Sequence, residues 1–113
     1  MEESLRLSQI LKDNGVDLIT ASGGGFVNVD QNLVKPGYQL PMASQIKKVV
    51  RIPVATVGMI SDARHADDII KQGDADLVVI AREHLRNPYF ATNAAIELGE
   101  TIELPWQYKR GYN

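Results

Sequence analysis

The chain has 113 residues with 12 basic and 14 acidic side chains, so its net charge is −2 with neutral histidines, and 44% of its residues are apolar. This length suffices for one compact domain rather than two, and a mixed, near-zero charge argues against nucleic acid as a partner. The lack of cysteine excludes disulfides, thiolate zinc sites and iron–sulfur clusters, so no metal site is expected.

Hydrophobic periodicity and turn residues predict an alternation of helices and strands. In chain order we expect a helix over about 4–14, a strand over 16–21, a helix over 41–50, a strand over 53–57, a helix capped by Ser61 that stops at Gly73, a strand over 75–81, a short helix over 82–86 and a helix over 89–98. The long loop from Ser22 to about Leu40 is expected to be functional or disordered.

Apolar residues at helical spacing predict which helix faces are buried. The predicted buried positions are Leu7, Ile10 and Leu11, then Met42, Ile46, Val49 and Val50, and finally Ala66, Ile69 and Ile70. By contrast, residues 77–80 form an unbroken apolar run, which suits a parallel strand covered on both faces. Such runs are far shorter than the roughly 20 residues of a membrane span, and the N-terminus lacks the basic start of a signal peptide, so we expect a cytoplasmic protein.

The spacing of the last two strands predicts the fold class and a candidate site. About 24 residues separate Val57 from Ala81, the rhythm of right-handed βα units, so we predict an α/β fold with a parallel sheet. Ligands of such folds bind at the loops after the strands, where Gly58 follows one strand and Ala81 and Arg82 follow the next. Small residues and a guanidinium at a helix start predict a phosphate site; the alternative is a turn glycine and a solvated arginine.

Other chemistry-bearing residues predict no site from their pattern alone. The Ser-Gly-Gly-Gly run over 22–25 lacks the spacing of a dinucleotide fingerprint, so a flexible connector is favoured. His65 and His84 have no second imidazole at ligand spacing and are expected to be structural or solvated. Tyr38 and the aromatic tail over 106–111 fit either an interface or core packing. Acidic groups expected on solvated faces and in turns are Asp67–Asp68 and Asp74–Asp76.

Several segments taken together resemble the C-terminal part of old yellow enzyme family flavoproteins, above all their bacterial, NADPH-dehydrogenase-like branch. The segments that carry this resemblance are Gly15–Ile19 with Ser22 and Gly24–Gly25, Pro36–Gln39, Ile52–Val54 with Val57–Gly58, Ala75–Val78 and Ala81–Tyr89. Their order and spacing extend over nearly the whole chain, so the resemblance is far more specific than a single glycine cluster.

The resemblance implies a partial (β/α)8 TIM barrel whose strands correspond to barrel strands 6 to 8, with residues 1–113 as one C-terminal partial-barrel domain. It implies FMN as the cofactor, NAD(P)H as the hydride donor and activated C=C bonds such as those of enones as substrates. Arg110, in Tyr-Lys-Arg-Gly, resembles an arginine that reaches a partner subunit's active site. The cofactor-binding residues implied in this way are Ser22, Gly23, Gly24, Gly58, Ala81 and Arg82.

The chain also departs from the family. Ala81 stands where glycine is usual, Thr20-Ala21 replaces a more usual Asp-Val, and His84 replaces an aliphatic or aromatic residue. A full barrel needs about 250 residues, so the family's substrate-binding histidine pair or His/Asn pair and its proton-donating tyrosine are not expected here. His65 and His84 lie on the wrong elements to be that pair, and no catalytic residue is assigned.

Three functions therefore stay open. The first is a C-terminal piece of an FMN-dependent NAD(P)H oxidoreductase that retains the phosphate half of the flavin site. The second is a non-catalytic, phosphate-binding partial barrel that forms a homo-oligomer or completes the barrel of another chain, because open sheet edges favour pairing. The third is an enzyme of phosphorylated metabolites on another phosphate-binding barrel.

Overall fold

The computed structural model describes residues 1–23, 30 and 34–112. Its elements are α1 (Glu2–Asp13), β1 (Ile19–Ala21), α2 (Leu40–Val50), β2 (Val54–Thr56), α3 (Ala63–Lys71), β3 (Leu77–Val78), α4 (Arg82–Arg86), α5 (Phe90–Glu97) and a 3-10 turn (Lys109–Gly111). The predicted order of helices and strands is confirmed, although each strand is shorter than its apolar run. None of the helices in this part of the chain has the length and apolar character that a membrane span needs.

The three strands form one parallel sheet in the order β1-β2-β3. In the register, Ala21 lies beside Thr56, and Thr56 lies beside Val78 on the other side. Helices lie between consecutive strands, as expected when parallel neighbours are joined by crossover connections. The α/β class with a parallel sheet is therefore confirmed, and the loops after all three strands reach the same edge of the sheet.

The core lies between the sheet and the helices. Helix α2 begins with Pro41 in its first turn, where a missing backbone N–H costs nothing, and it directs its small and branched residues toward the strands. Ala43 and Val54 are completely buried at this contact. The buried apolar cluster comprises Ala21, Ala43, Ile46, Val50, Ile52, Val54, Ile60, Ile69 and Ala75.

Part of the predicted burial is wrong. The α1 residues Leu7, Ile10 and Leu11 are exposed, whereas Leu5 packs against the core cluster and Ser8 is buried. Periodicity identifies an apolar stripe on α1, but no element of the described part of the chain covers that stripe. The same holds at single positions of other helices, where the exposed residues are Val49 and Ile70.

Strand β3 also differs from its prediction. The apolar run predicted a strand covered on both faces, whereas Leu77 is 53% exposed and Val79 is 39% exposed. Side chains alternate along a strand, so Leu77 and Val79 lie on one face, whereas Val78 and Ile80 lie on the other and pack against the core. Strand β3 also lies at the edge of the sheet, with β2 as its only strand neighbour in the described part of the chain. An unpaired edge next to exposed apolar side chains is a surface on which another strand can add.

The cap of α3 is Asp62 rather than the predicted Ser61. The Asp62 backbone is extended, and its Oδ1 accepts a 2.8 Å hydrogen bond from the backbone N–H of His65. A carboxylate at this position accepts a hydrogen bond from one free N–H of the first helical turn, and its negative charge is stabilised by the positive end of the helix dipole. Both side chains are good caps, so the sequence alone did not distinguish neighbouring candidates.

Two aspartates connect strands to α2 at the amino end of the sheet. Asp76 Oδ2 accepts a 2.9 Å hydrogen bond from the Val54 N–H, and its Oδ1 lies 2.9 Å from Lys47 Nζ. Asp74 Oδ1 accepts a 2.7 Å hydrogen bond from the Ser44 hydroxyl. The Val54 N–H and then Lys47 lower the pKa of Asp76, and the Ser44 hydroxyl lowers that of Asp74. These carboxylates therefore do more than occupy the solvated turn that the sequence predicted.

Lys12 attaches α1 to the end of α2. Its ammonium donates hydrogen bonds to the carbonyl oxygens of Val50, at 2.7 Å, and of Arg51, at 3.1 Å. Those carbonyls belong to the last turn of α2, whose orphan acceptors and negative dipole end favour a cation. The contact fixes the helix that precedes β1 against the helix that follows it.

Candidate functional site

A cavity of about 170 Å³ opens between the loops that follow β2 and β3. This is the edge of the sheet where ligands of parallel α/β folds bind. It contains three of the predicted site residues, and the full lining is Tyr38, Gln39, Val57, Gly58, Met59, Ile60, Ser61, Val79, Ala81, Arg82, Glu83 and Arg86.

Gly58 is the backbone position that shapes the floor of this cavity. Its φ of +125° is one that side chains rarely adopt, and an added Cβ would lie 3.1 Å from two Tyr38 ring carbons and 3.2 Å from Gln39 Cγ. The next residue, Met59, also has a positive φ of 52°. Strained backbone of this kind persists only where surrounding packing holds it, and it concentrates at ligand-binding loops.

Arg82 supplies a cation at the start of α4. Glu83, the acidic neighbour, is engaged by Arg86, whose Nη2 lies 2.7 Å from Glu83 Oε2. Within residues 1–23, 30 and 34–112, no carboxylate forms an ion pair with Arg82. A guanidinium so placed retains its paired N–H donors for an anion, which it can bind in bidentate fashion.

Ala81 caps α4 with a φ of −107°. This value is open to any L-residue, so the alanine that replaces the family's usual glycine causes no backbone strain here. Its methyl group is the smallest side chain that could line the cavity.

Tyr38 and Gln39 are site residues that sequence reasoning did not assign to the cavity. Gln39 is only 7% exposed; its Oε1 accepts a hydrogen bond from the Gly23 N–H, and its Nε2 donates to Tyr38 Oη at 2.7 Å. Only the Pro36–Gln39 segment within the family resemblance signalled them. Such contacts between distant loops leave no periodic pattern in a sequence.

Ser22 and Gly23, the described residues directly after β1, do not line the cavity. Ser22 is exposed, and Gly23 packs closely on α2, since an added Cβ would lie 3.1 Å from Met42 Cε. Gln39 connects Gly23 to the cavity through the hydrogen bond given above. Gly24 lies outside the described residues, so its predicted role stays a prediction.

The remaining predicted residues lie apart from the cavity. His84 is structural, with Nδ1 2.9 Å from the Ile80 carbonyl oxygen and its ring edge-on to Phe90 at a centroid distance of 5.6 Å. His65 packs its imidazole against Gly37. Arg110 is exposed in the 3-10 turn. Among the residues placed by the structure, no three His, Cys, Asp or Glu side chains converge as metal ligands do.

The chain is similar to known proteins over most of its length. A model of the NADH:flavin oxidoreductase / NADH oxidase family matches residues 2–100. The chain is 45% identical to an NADPH dehydrogenase of Listeria innocua over 112 residues, which are 99% of this chain and 33% of that protein. It is also 45% identical to the NADPH dehydrogenases of Bacillus subtilis and Geobacillus thermodenitrificans over 102 residues, which are 90% of this chain and 30% of each.

The chain spans about a third of the length of these relatives. The family match nevertheless extends over most of the chain, including the strands, the loops after β2 and β3, and the helix that carries Arg82. The resemblance to old yellow enzyme flavoproteins is thereby confirmed, and the chain belongs to the NADH:flavin oxidoreductase / NADH oxidase family.

Proposed function

We propose that this chain binds the phosphate end of FMN between Gly58, Ala81 and Arg82, as part of an NAD(P)H-dependent flavin oxidoreductase. The observation that carries the proposal is the cavity at the carboxyl ends of β2 and β3, which is lined by Gly58, Ala81 and an arginine without an ion pair in the described structure. Gly58 is buried, and Tyr38 and Gln39 occupy the space that a Cβ would need. Family membership supports FMN and NAD(P)H as the relevant cofactors.

The cavity fits a phosphate better than a whole flavin. Its volume of about 170 Å³ lies below the roughly 300–1,000 Å³ of pockets that enclose a complete small-molecule ligand. Gly58 allows the backbone to approach the anion, and Arg82 is suited to hold two of its oxygens. Ser22, Gly23 and Gly24 are proposed to line the neighbouring loop, and the flavin ring would extend beyond the cavity.

The activity of the complete protein is proposed as reduction of activated C=C bonds, such as those of enones, at the expense of NAD(P)H. FMN, when bound, supplies the redox chemistry, and the protein supplies position and electrostatics. The residues of this chain that we assign bind and orient the cofactor; we assign it no catalytic residue. Closure of the sheet as strands 6 to 8 of a (β/α)8 barrel, with residues 1–113 as its C-terminal part, belongs to the same proposal.

Titration with FMN and with riboflavin, which lacks the phosphate, tests the proposal. Charge-assisted hydrogen bonds contribute about 1.5–3 kcal/mol, so Arg82→Ala should weaken FMN binding by about tenfold or more and leave riboflavin binding unchanged. Arg6→Ala, which removes an exposed arginine from α1, is the matched control. Equal FMN affinity of the wild type and Arg82→Ala would remove Arg82 from the site.

The exposed edge strand favours a second candidate. Leu77 and Val79 present apolar surface beside an unpaired strand edge, which suits a homo-oligomer or a chain that completes another chain's barrel without catalysing a reaction. Arg110 would then face a partner subunit. A purified chain that is colourless after reconstitution with FMN, and that associates in light scattering at micromolar concentration, would favour this candidate over the first.

A further inference from the structure

Gln39 joins the two ends of the connection between β1 and α2. It precedes α2, is 7% exposed, and places its amide between the loop after β1 and the aromatic ring of Tyr38. Its Oε1 accepts the Gly23 N–H, and its Nε2 donates to Tyr38 Oη at 2.7 Å. One buried side chain therefore satisfies its acceptor at Gly23, where the connection begins, and one of its donors at Tyr38, where the connection ends.

Tyr38 transmits this contact to Gly58. The Tyr38 ring lies so close to Gly58 that an added Cβ would be 3.1 Å from two of its carbons. The backbone of the same turn holds Gly58 from a second direction, since the Gly37 N–H donates a 2.8 Å hydrogen bond to the Gly58 carbonyl oxygen. The position of Gly58, in the loop after β2, thus depends on residues 37–39.

Burial of an amide is costly unless it is hydrogen-bonded, and an apolar side chain of similar size would fill the same space at less risk. What an amide adds is direction, because it makes two hydrogen bonds at fixed angles to the two ends of the connection between β1 and α2. A residue whose only role was to fill the core would need neither bond, so the polar contacts point to a positioning role.

We propose that Gln39 is a positioning residue for the FMN phosphate. It fixes Tyr38 against Gly58, and it holds Gly23 through the hydrogen bond to its own Oε1. This inference rests on the proposed function, since it assigns Gln39 to the cavity of Gly58 and Arg82. Gln39 does not itself need to touch the phosphate. Its amide sets the backbone geometry that the anion meets.

Gln39→Met tests the inference because methionine keeps the length of the side chain and removes both hydrogen bonds. We expect FMN binding to weaken about fivefold, the magnitude of one ordinary hydrogen bond, while riboflavin binding stays unchanged. The Gly37 amide, which bonds to Gly58, should exchange with solvent several-fold faster, and the Ile46 amide in the core of α2 should not. Gln9→Met, an exposed substitution on α1, is the matched control.

Tyr38→Phe keeps the ring and removes only the hydroxyl that Gln39 contacts, so it serves if Gln39→Met does not fold. The double variant Gln39→Met/Tyr38→Phe should weaken FMN binding no more than Gln39→Met alone, because both changes break one shared contact. Additive losses would contradict the coupling through Tyr38.

The outcomes separate the two proposals. If the wild-type chain binds FMN no better than riboflavin, the proposed phosphate site is wrong, and the positioning role falls with it. If the wild type prefers FMN and Gln39→Met keeps that preference together with slow Gly37 exchange, only the positioning role is wrong. If Gln39→Met speeds exchange equally at Gly37 and Ile46, Gln39 is a general core residue and the inference is also overturned.

Discussion

Gly58→Ala is the sharpest test of the geometry at the cavity floor. The substitution adds a single methyl group at a φ of +125°, directed at two Tyr38 ring carbons 3.1 Å away and at Gln39 Cγ 3.2 Å away. Neither neighbour is the free end of a flexible side chain, because the ring is held by the Gln39 amide and the Cγ lies in a buried stem. The methyl group must therefore displace the turn over 37–39 or shift its own backbone.

The expected magnitude follows from two costs and one gain. A non-glycine residue in a sparsely populated backbone region costs about 1–3 kcal/mol, and an extra methyl group in a packed site costs a further 1–3 kcal/mol, approximately. Reduced freedom of the unfolded chain returns about 0.4–1 kcal/mol. The midpoints of these ranges give a fall of about 3 kcal/mol in the free energy of unfolding, which lowers the Tm by about 12 °C in a domain of this size.

Thermal unfolding followed by circular dichroism measures this effect, with Gly73→Ala as the control. Gly73 has a φ of +75° and nothing within 4 Å of an added Cβ, so its substitution carries backbone strain without steric contact. It should cost about 1 kcal/mol, or roughly 4 °C. A Gly58→Ala variant with the same Tm as Gly73→Ala would show that Tyr38 and Gln39 do not pack on Gly58, and the geometry described for this position would be wrong.

Two further predictions concern the stability of the fold. Lys12→Met removes the ammonium that caps the end of α2 and should lower the free energy of unfolding, measured with urea, by about 1 kcal/mol. Arg6→Met, which like Lys12→Met lies on α1, should be neutral. Equal effects of the two substitutions would refute the cap. The pKa of Asp76 is lowered in the folded state by the Val54 N–H and Lys47, so its contribution is present above the unfolded pKa and is lost as the pH falls through the folded one. Because the Asp76 side chain is 40% exposed, Asp76→Asn should lower the free energy of unfolding by at most about 1 kcal/mol at pH 7. The variant should also lose less stability than the wild type below about pH 4. An unchanged dependence of stability on acid pH would contradict the role given to Asp76.

The elements and the cavity were largely predictable because their signals are local. Apolar runs and glycine stops placed every helix and strand of the described chain in the right order, and strand ends with small residues indicated Gly58 and Ala81. Burial was less predictable, because a stripe such as Leu7 and Ile10 becomes a core face only when another element packs on it. Periodicity records the apolar face, but it does not record its partner.

The contacts that hold the loops around the cavity could not be predicted from the sequence. Gln39 contacts Gly23 across 16 positions, and the Gly37 N–H contacts the Gly58 carbonyl across 21 positions. Such pairs depend on the three-dimensional path of the turn before α2, which neither propensity nor spacing encodes. The family resemblance includes the Pro36–Gln39 segment, but it implied no role for the Gln39 side-chain amide.

The polar side chains divide between the two ends of the sheet. At the amino end, Asp74 and Asp76 are neutralised within the fold by lysines and a backbone N–H, and in parallel α/β folds this end serves stability. At the carboxyl end, Glu83 is paired with Arg86, which leaves Arg82 without an acidic partner in the described structure. The amino end of the sheet thus pairs its charges internally, whereas the carboxyl end keeps the Arg82 guanidinium next to Gly58 on one cavity. The proposed phosphate site depends on this contrast, and the FMN titration of Arg82→Ala tests it.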